Sequence, residues 1–466
     1  MAMASSNRLR AGALTLIGTT ASTAAFMGPA TSIYFNTAPG VAAAGAAFPF
    51  SMLVAMAAMI LMAVSIGAFA RKLPTSGFAY TYTVKGFGSR GGFVSGWLLL
   101  GSYAMVAPML LSGMSALLSS FLATFGVNVP WWILALAFFI LALIVISLGI
   151  NRSVQTALIF LVFELAIMLA LFVTIIARGG ADGNTLAVFN PGLSPTGLSG
   201  IGIGALWGIL MFVGFESAGT LGEEARAPRI TVPRALLTAV LAIGFVYLLS
   251  AYTGDVGFGI THAKAFMGAA APWSTLAFRF WGPALGKLVM VAALSSIFAN
   301  LISGSNSVVR VMYNMGREGV IHPSLGTTRD GIPVRAGVYY LTGSILMSLI
   351  LGAVWGPLTV YGFAGTILGL GIIVVYILVN VSLTVYYRKE YPNEVSPWRH
   401  GVVPIVASLL MLLPLYGQLV PYPAAPYAYA PIALALWVIG GAIYAGRLRR
   451  QHGAAFEELG RILADI

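Results

Sequence analysis

Long apolar runs recur along this 466-residue chain, parted by short polar segments, and no other feature limits its fold as strongly. A helix needs about 20 apolar residues to cross a bilayer core of roughly 30 Å. By that measure, spans are expected near 11–36, 42–70, 92–123, 130–149, 153–177 and 198–221, and six more near 232–258, 284–312, 334–354, 357–386, 401–420 and 427–446. With 59% hydrophobic and only 8% charged side chains, the chain has too little polar material to wrap in a water-facing surface. Its main solvent, and first partner, is therefore the lipid bilayer. A net charge of +12 would suggest nucleic acid in a soluble protein, but here the basic residues fall between the apolar runs, which is a topology signal and makes nucleic acid an unexpected partner. If the amino terminus is cytoplasmic, only Arg178, Lys264, Arg279 and Lys287 of the 25 Lys and Arg residues fall outside. A multi-pass protein of the cell (inner) membrane with both termini cytoplasmic is expected. Arg8 and Arg10 precede an apolar stretch as in a signal peptide, yet that stretch runs past Ile33 without a cleavage signal and reads as the first span.

The chain has no cysteine, which rules out disulfides, thiol catalysis and Cys-ligated metals, and His262, His322, His400 and His452 are too scattered for a metal cluster. No cofactor is expected. A membrane-embedded enzyme would need His–carboxylate pairs at helical spacing, and no histidine lies well inside a span. A channel would show repeated filter loops or rings of charge. A carrier remains, with a sensor that binds without transporting as the alternative of another class.

Three acidic residues fall within or near the spans: Glu164 in the fifth, Glu216 in the sixth and Asp255 near the end of the seventh. Ionisable groups are costly in a bilayer, so each is a functional candidate, set against the plainer reading of a protonated carboxyl hydrogen-bonded between helices. For Asp255, the nearby Gly254, Gly257 and Gly259 suggest a helix end that water reaches. Small and polar residues also interrupt two spans: Thr19–Thr23 and then Gly28–Pro29 in the first, Gly214–Thr220 in the sixth. If spans one to five and six to ten are two repeats, these interruptions correspond, as expected of the broken helices that build a transporter's central site. Main-chain groups freed there can bind a substrate's ammonium and carboxylate, or a cation. Helix packing through small residues is the competing explanation. The breaks are expected near Ser22–Ala24 and Gly214–Ser217, facing one another.

At this point the residues resemble a known family. Pro74-Thr75-Ser76-Gly77-Phe78-Ala79-Tyr80 looks like the Pro-x-Ser-Gly-x-x-Tyr segment of the amino acid–polyamine–organocation permeases. Gly214-Phe215-Glu216-Ser217, with Glu223-Glu224 and Pro233-Arg234-Ala235, is similar to that family's sixth span and the loop after it. Arg310-Val311-Met312-Tyr313, with Arg317-Glu318-Gly319 and Pro323, resembles the end of its eighth span. The resemblance implies an all-α integral membrane protein of twelve transmembrane helices. These would form a five-plus-five inverted repeat like that of the leucine transporter, over 11–177 and 198–386, two extra C-terminal helices over 401–446, and tails at 1–10 and 447–466. It also implies a permease that imports an amino acid by alternating access.

Carried over by position, the substrate contacts would be Thr20, Ser22, Thr23 and Ala24 in the first span, Leu210, Phe212, Val213, Phe215 and Glu216 in the sixth, Ser102 in the third and Asn300 in the eighth. Relatives carry bare glycine amides where this chain has Ser22-Thr23-Ala24, whose side chains crowd a carboxylate, so a polyamine or other organic amine is the alternative substrate. Several relatives also carry a lysine in the fifth span where this chain has Glu164. A carboxyl at Glu164 or Glu216 can take up and release a proton as its surroundings alternate between water and apolar packing, which makes proton-driven symport the expected coupling. Ser295-Ser296 offers hydroxyls for a sodium site as the alternative, and exchange remains open. An interfacial helix is expected around 265–281, and a short amphipathic one around Phe456, Leu459, Ile462 and Leu463.

Overall fold

The computed structural model describes residues 9, 11–75, 77–262, 265–266, 269, 271–420 and 422–451. Ser76 and the amphipathic segment expected around Phe456 lie outside them. Among the described residues the chain is helical throughout, with two isolated β-bridges, Leu14 to Ala225 and Arg329 to Ile332. Its helices are α1 (Leu16–Met27), α2 (Pro29–Ala44), α3 (Phe48–Lys72), α4 (Ala79–Ala104), α5 (Val106–Ala123), α6 (Trp131–Ser147) and α7 (Ile150–Ala177), then α8 (Leu198–Phe212), α9 (Pro228–Phe258), α10 (Pro272–Arg317), α11 (Val334–Trp355), α12 (Pro357–Glu390), α13 (Val403–Leu419) and α14 (Tyr429–Gln451). Among the described residues, ten helical stretches are long and apolar enough to cross a membrane, and α6 is a shorter apolar helix. The first of the ten, Leu16–Lys72, contains α1, α2 and α3.

Local chemistry sets the ends and kinks. The Thr15 hydroxyl caps α1 by accepting from Gly18 N at 3.2 Å. Within α10, Gly282 at φ 77° precedes Pro283 and divides a short helix, 272–281, from the long one after it. That short piece lies inside the segment expected to be interfacial.

Packing follows small residues. Gly200, Gly204 and Gly208 recur every four residues on α8. A Cβ on Gly204 would fall 2.7 Å from Ser51 Oγ and one on Gly208 2.7 Å from Ala55 Cβ, so bare backbone lets α8 lie close against α3. Elsewhere α3 runs along α9, α7 along α10, and α4 along α12. Helix α14 docks through a reciprocal pair: the Trp97 indole donates to Trp437 O at 2.9 Å, Trp437 donates to Trp97 O at 2.8 Å, and the rings stack 4.6 Å apart. Large aliphatic side chains such as Ile159, Val162, Leu409 and Ile439 remain exposed, as a lipid-facing surface requires.

Candidate functional site

Two helix interruptions meet in the middle of this bundle. In the sixth span, α8 ends at Phe212; Val213 is extended (ψ 130°), Gly214 takes a left-handed conformation (φ 110°), and a 3-10 turn, Phe215–Leu221, follows. In the first span the interruption is not at Ser22–Ala24, where α1 is continuous. It is at Gly28, left-handed at φ 57°, with Pro29 as the first residue of α2. This corrects the expected position by about one helical turn. The reason is chemical: a hydroxyl inside a helix can return its hydrogen bond to the preceding turn, as Thr19 Oγ1 does to Thr15 O at 3.0 Å, so the Thr–Ser run stays helical. Gly28 before Pro29 removes both the steric bar to a left-handed residue and a helical donor. The two breaks touch, since a Cβ on Gly214 would stand 2.8 Å from Phe26 O.

Each break is held by groups far away in sequence. Glu216 is fully buried; Oε1 accepts from Tyr103 OH at 2.7 Å, and Oε2 accepts from Tyr376 OH at 2.6 Å and from Gly214 N at 2.9 Å. The carboxyl therefore ties the amide freed by the break to α4 and α12. Removing one donor leaves a buried acceptor short of a partner, so Tyr376→Phe is expected to lower stability by about 1–3 kcal/mol. Thermal unfolding in detergent checks this, and an unchanged midpoint would show that the hydrogen bond has no structural weight. On the first-span side, Met27 O accepts from Ser32 Oγ at 2.8 Å and from Tyr247 OH at 3.0 Å. Glu164 reaches over from α7: its Oε2 accepts from Ala30 N at 3.3 Å, while Oε1, also buried, has no partner among the described residues. The Ser296 hydroxyl accepts from Thr31 N at 3.0 Å and adjoins the Glu164 carboxyl.

A cavity of about 670 Å³ extends from these breaks toward the end of the bundle where Pro39, Pro272 and Tyr427 lie. Of the expected contacts, Leu210, Val213 and Asn300 line it. Thr20, Ser22, Thr23 and Ala24 sit on α1 away from it. Ser102 donates to Leu98 O at 2.7 Å, Phe212 packs on Tyr247 with ring centroids 5.2 Å apart, and Phe215 packs on Tyr376 at 5.8 Å; like Glu216, none of the three lines the cavity. Ser295 turns to its own helix, donating to Ala292 O at 2.9 Å, so only Ser296 of the pair reaches the first-span break. Asp255 is buried on α9, with Oδ2 lacking a partner among the described residues. Sequence reasoning missed Thr31, Ser32, Trp207, Tyr361 and Gln418, all on the wall. The Gly28-Pro29 pair was the signal for the first two; the others are placed by tertiary packing.

The opposite end, which carries the amino-terminal segment, is shut. Leu14 N donates to Glu224 O at 2.9 Å and Arg226 N to Leu14 O at 2.8 Å, joining that segment to the loop after the sixth span. Arg310 makes a bidentate pair with Glu224, one arm at 2.9 Å, with the side chains 3% and 1% exposed. Arg317 pairs with Glu223 at 3.3 Å, and Tyr80 donates to Glu318.

Comparison of the sequence with known proteins identifies the family. Residues 14–444 match the amino acid permease family. The branched-chain amino acid permease BcaP of Bacillus subtilis is 25% identical, with 83% of each chain covered. The methylthioribose transporter of the same organism is 23% identical over 78% of each chain, and the low-affinity putrescine importer PlaP of Escherichia coli is 25% identical over 74% of this chain and 75% of its own. The chain belongs to the amino acid permease family of the amino acid–polyamine–organocation superfamily, and is a multi-pass membrane transporter of a small molecule rather than an enzyme.

Proposed function

We propose that this chain is a twelve-pass, proton-driven importer of an amino acid, working by alternating access between its two faces, with Glu164 as the carboxyl that binds the proton. Reading Leu16–Lys72 as two passes and α6 as another gives the twelve. The packing supports a five-plus-five repeat over 11–177 and 198–386. If each of the first five spans corresponds to the span five later, α1 against α9 should be mirrored by α8 against α3, and α7 against α10 by α12 against α4; both pairs of contacts exist. Helices α13 and α14 are then the extra pair over 401–446. The excess of Lys and Arg on the closed face argues that this face, with tails 1–10 and 447–466, is cytoplasmic in the cell membrane. The cavity then faces outward.

The observation that carries the coupling is the seat of Glu164 on Ala30 N, in the first turn of α2. Amides at a helix start favour an anion, so an ionised Glu164 holds α2 to α7 across the break. It also occupies a donor that a substrate carboxylate would otherwise take; Pro29 supplies no N–H and Thr31 N is held by Ser296. Protonation weakens this hold and opens the position to the substrate, which links the proton to the cargo. Leu210, Val213, Asn300, Thr31 and Ser32 are the contacts we assign. A sodium reading is favoured by one observation: Glu164 Oε1 and Thr31 Oγ1 are buried oxygens without partners among the described residues. Uptake into proteoliposomes under separately imposed gradients decides between them. A proton gradient alone is expected to concentrate an amino acid, and concentration by a sodium gradient alone would overturn the proposal.

A further inference from the structure

The wall of the cavity bears on the kind of cargo, and it is uncharged. Among the described residues, no Asp, Glu, Lys, Arg or His lines it. Its polar members near the breaks are Thr31, Ser32 and Asn300. The Asn300 amide lies so close over Gly28 that a Cβ there would overlap it, and Asn300 Oδ1 is buried without a partner among the described residues. Beyond them the wall is mostly large apolar and aromatic side chains, with the neutral polar Asn36 and Thr366 among them. Phe35 and Tyr361 lie with ring centroids 4.8 Å apart. Tyr361 is set close to α5 because Gly113 has no side chain, a Cβ there falling 2.5 Å from the ring. Tyr427 approaches Gly362 in the same way, at 2.8 Å. Met109, Leu206 and Trp207 add to the apolar part of the surface.

Helix α13 also contributes. Gln418 and Leu210 both crowd Gly369, with a Cβ there 3.1 Å from Gln418 Nε2 and 2.7 Å from Leu210 Cδ2. The Gln418 amide is buried, and neither its oxygen nor its nitrogen has a partner among the described residues. It can answer a neutral polar group, but it cannot compensate a full charge.

We propose that this cavity takes an amino acid whose side chain is bulky and apolar, branched aliphatic, thioether or aromatic, and refuses substrates carrying a second charge: diamines and the basic and acidic amino acids. The inference rests on the cavity being the substrate site of the importer proposed above. A charged group drawn from water into an apolar wall regains nothing there unless a counter-ion meets it. The buried acids nearest the breaks do not line the cavity: Glu216 is engaged with Tyr103, Tyr376 and Gly214 N, and Glu164 is turned to Ala30 N through Oε2. An apolar side chain fills the same wall with no such cost. The 670 Å³ volume leaves room for the largest of these side chains.

The test is direct binding to the purified full chain, by thermal shift and by competition, with leucine, methionine, phenylalanine, lysine, glutamate and putrescine, followed by uptake in proteoliposomes. Leucine, methionine or phenylalanine is expected to bind at least roughly a hundredfold more tightly than lysine, glutamate or putrescine. Trp207→Ala is expected to weaken the favoured ligand about tenfold. Lysine or putrescine bound as tightly as leucine would overturn the inference and leave the importer reading standing. Apolar amino acids bound but never accumulated under any gradient would sink the importer and leave the apolar site intact. No binding by any of the six would overturn both.

Discussion

Truncating Glu224 to alanine should throw the transporter toward the state that opens at its amino-terminal face. Arg310 and Glu224 are both buried and paired through two nitrogens, and the same loop carries the main-chain bridge to Leu14. Removing one partner of such a pair leaves an uncompensated charge, a cost of about 3–5 kcal/mol. In a rigid protein that cost would fall on folding. In a carrier the chain has another way out, since opening this face lets Arg310 meet water, and the population shifts by a factor of roughly a hundred or more for the same free energy. The sequence has no cysteine, so a single Ala225→Cys reporter needs no prior engineering. Ala225 is 4% exposed in the closed face. Its alkylation in detergent is expected to accelerate at least tenfold when Glu224→Ala is added, while Arg310→Ala combined with Glu224→Ala restores much of the protection by removing the stranded charge. An unchanged alkylation rate in a folded Glu224→Ala protein would mean that the pair does not latch this face.

Sequence alone made the membrane architecture legible because the signal there is additive: many apolar residues in each span all report the same solvent. The sixth-span break was legible for a related reason, since Gly214 sits among small and polar residues with no competing periodic pattern. The first-span break was misplaced because Thr19 to Thr23 carries the same composition while staying helical through hydroxyls that can bond the preceding turn. Composition does not separate a break from a hydroxyl-rich helix; the Gly28-Pro29 pair does, through φ and a missing donor. Glu216 shows a different limit. A carboxyl in a broken helix invites a role in chemistry, yet its hydroxyl donors lie 113 and 160 residues away, and only their convergence identifies it as a clasp for Gly214 N. Gln418 and Tyr361 were invisible for the same reason: glycines on neighbouring helices decide which walls come close enough to enclose the cavity. Glu164 stands out in the sequence as an acid within an apolar span, but its burial and its seat on Ala30 N emerge only once Gly28 places the start of α2.

Glu164→Gln is expected to abolish gradient-driven accumulation while sparing exchange. The amide keeps the size of the carboxyl and an oxygen able to accept from Ala30 N, so the break should survive and the protein should fold. What it loses is the ability to alternate between an anion that holds the α2 amides and a neutral group that releases them. Glutamine imitates the released form permanently, and its weaker hold lets substrate occupy the site without a proton. Counterflow of labelled against unlabelled substrate then continues at a rate comparable to the parent, whereas uptake under a proton gradient falls to the equilibrium level, a loss of up to about tenfold in accumulation where the gradient spans one pH unit and one proton accompanies each substrate, since each tenfold step corresponds to about 1.4 kcal/mol. Glu216→Gln separates the two acids. With three donors already turned toward it, that carboxyl is satisfied as an anion, and an amide would bring a nitrogen against Tyr103, Tyr376 or Gly214 N. It should therefore lower the unfolding temperature of the protein and leave coupling in the surviving fraction intact. Full proton-driven accumulation by Glu164→Gln, or loss of coupling confined to a stable Glu216→Gln protein, would transfer the proton from the fifth span to the sixth and remove the link between Glu164 and the start of α2.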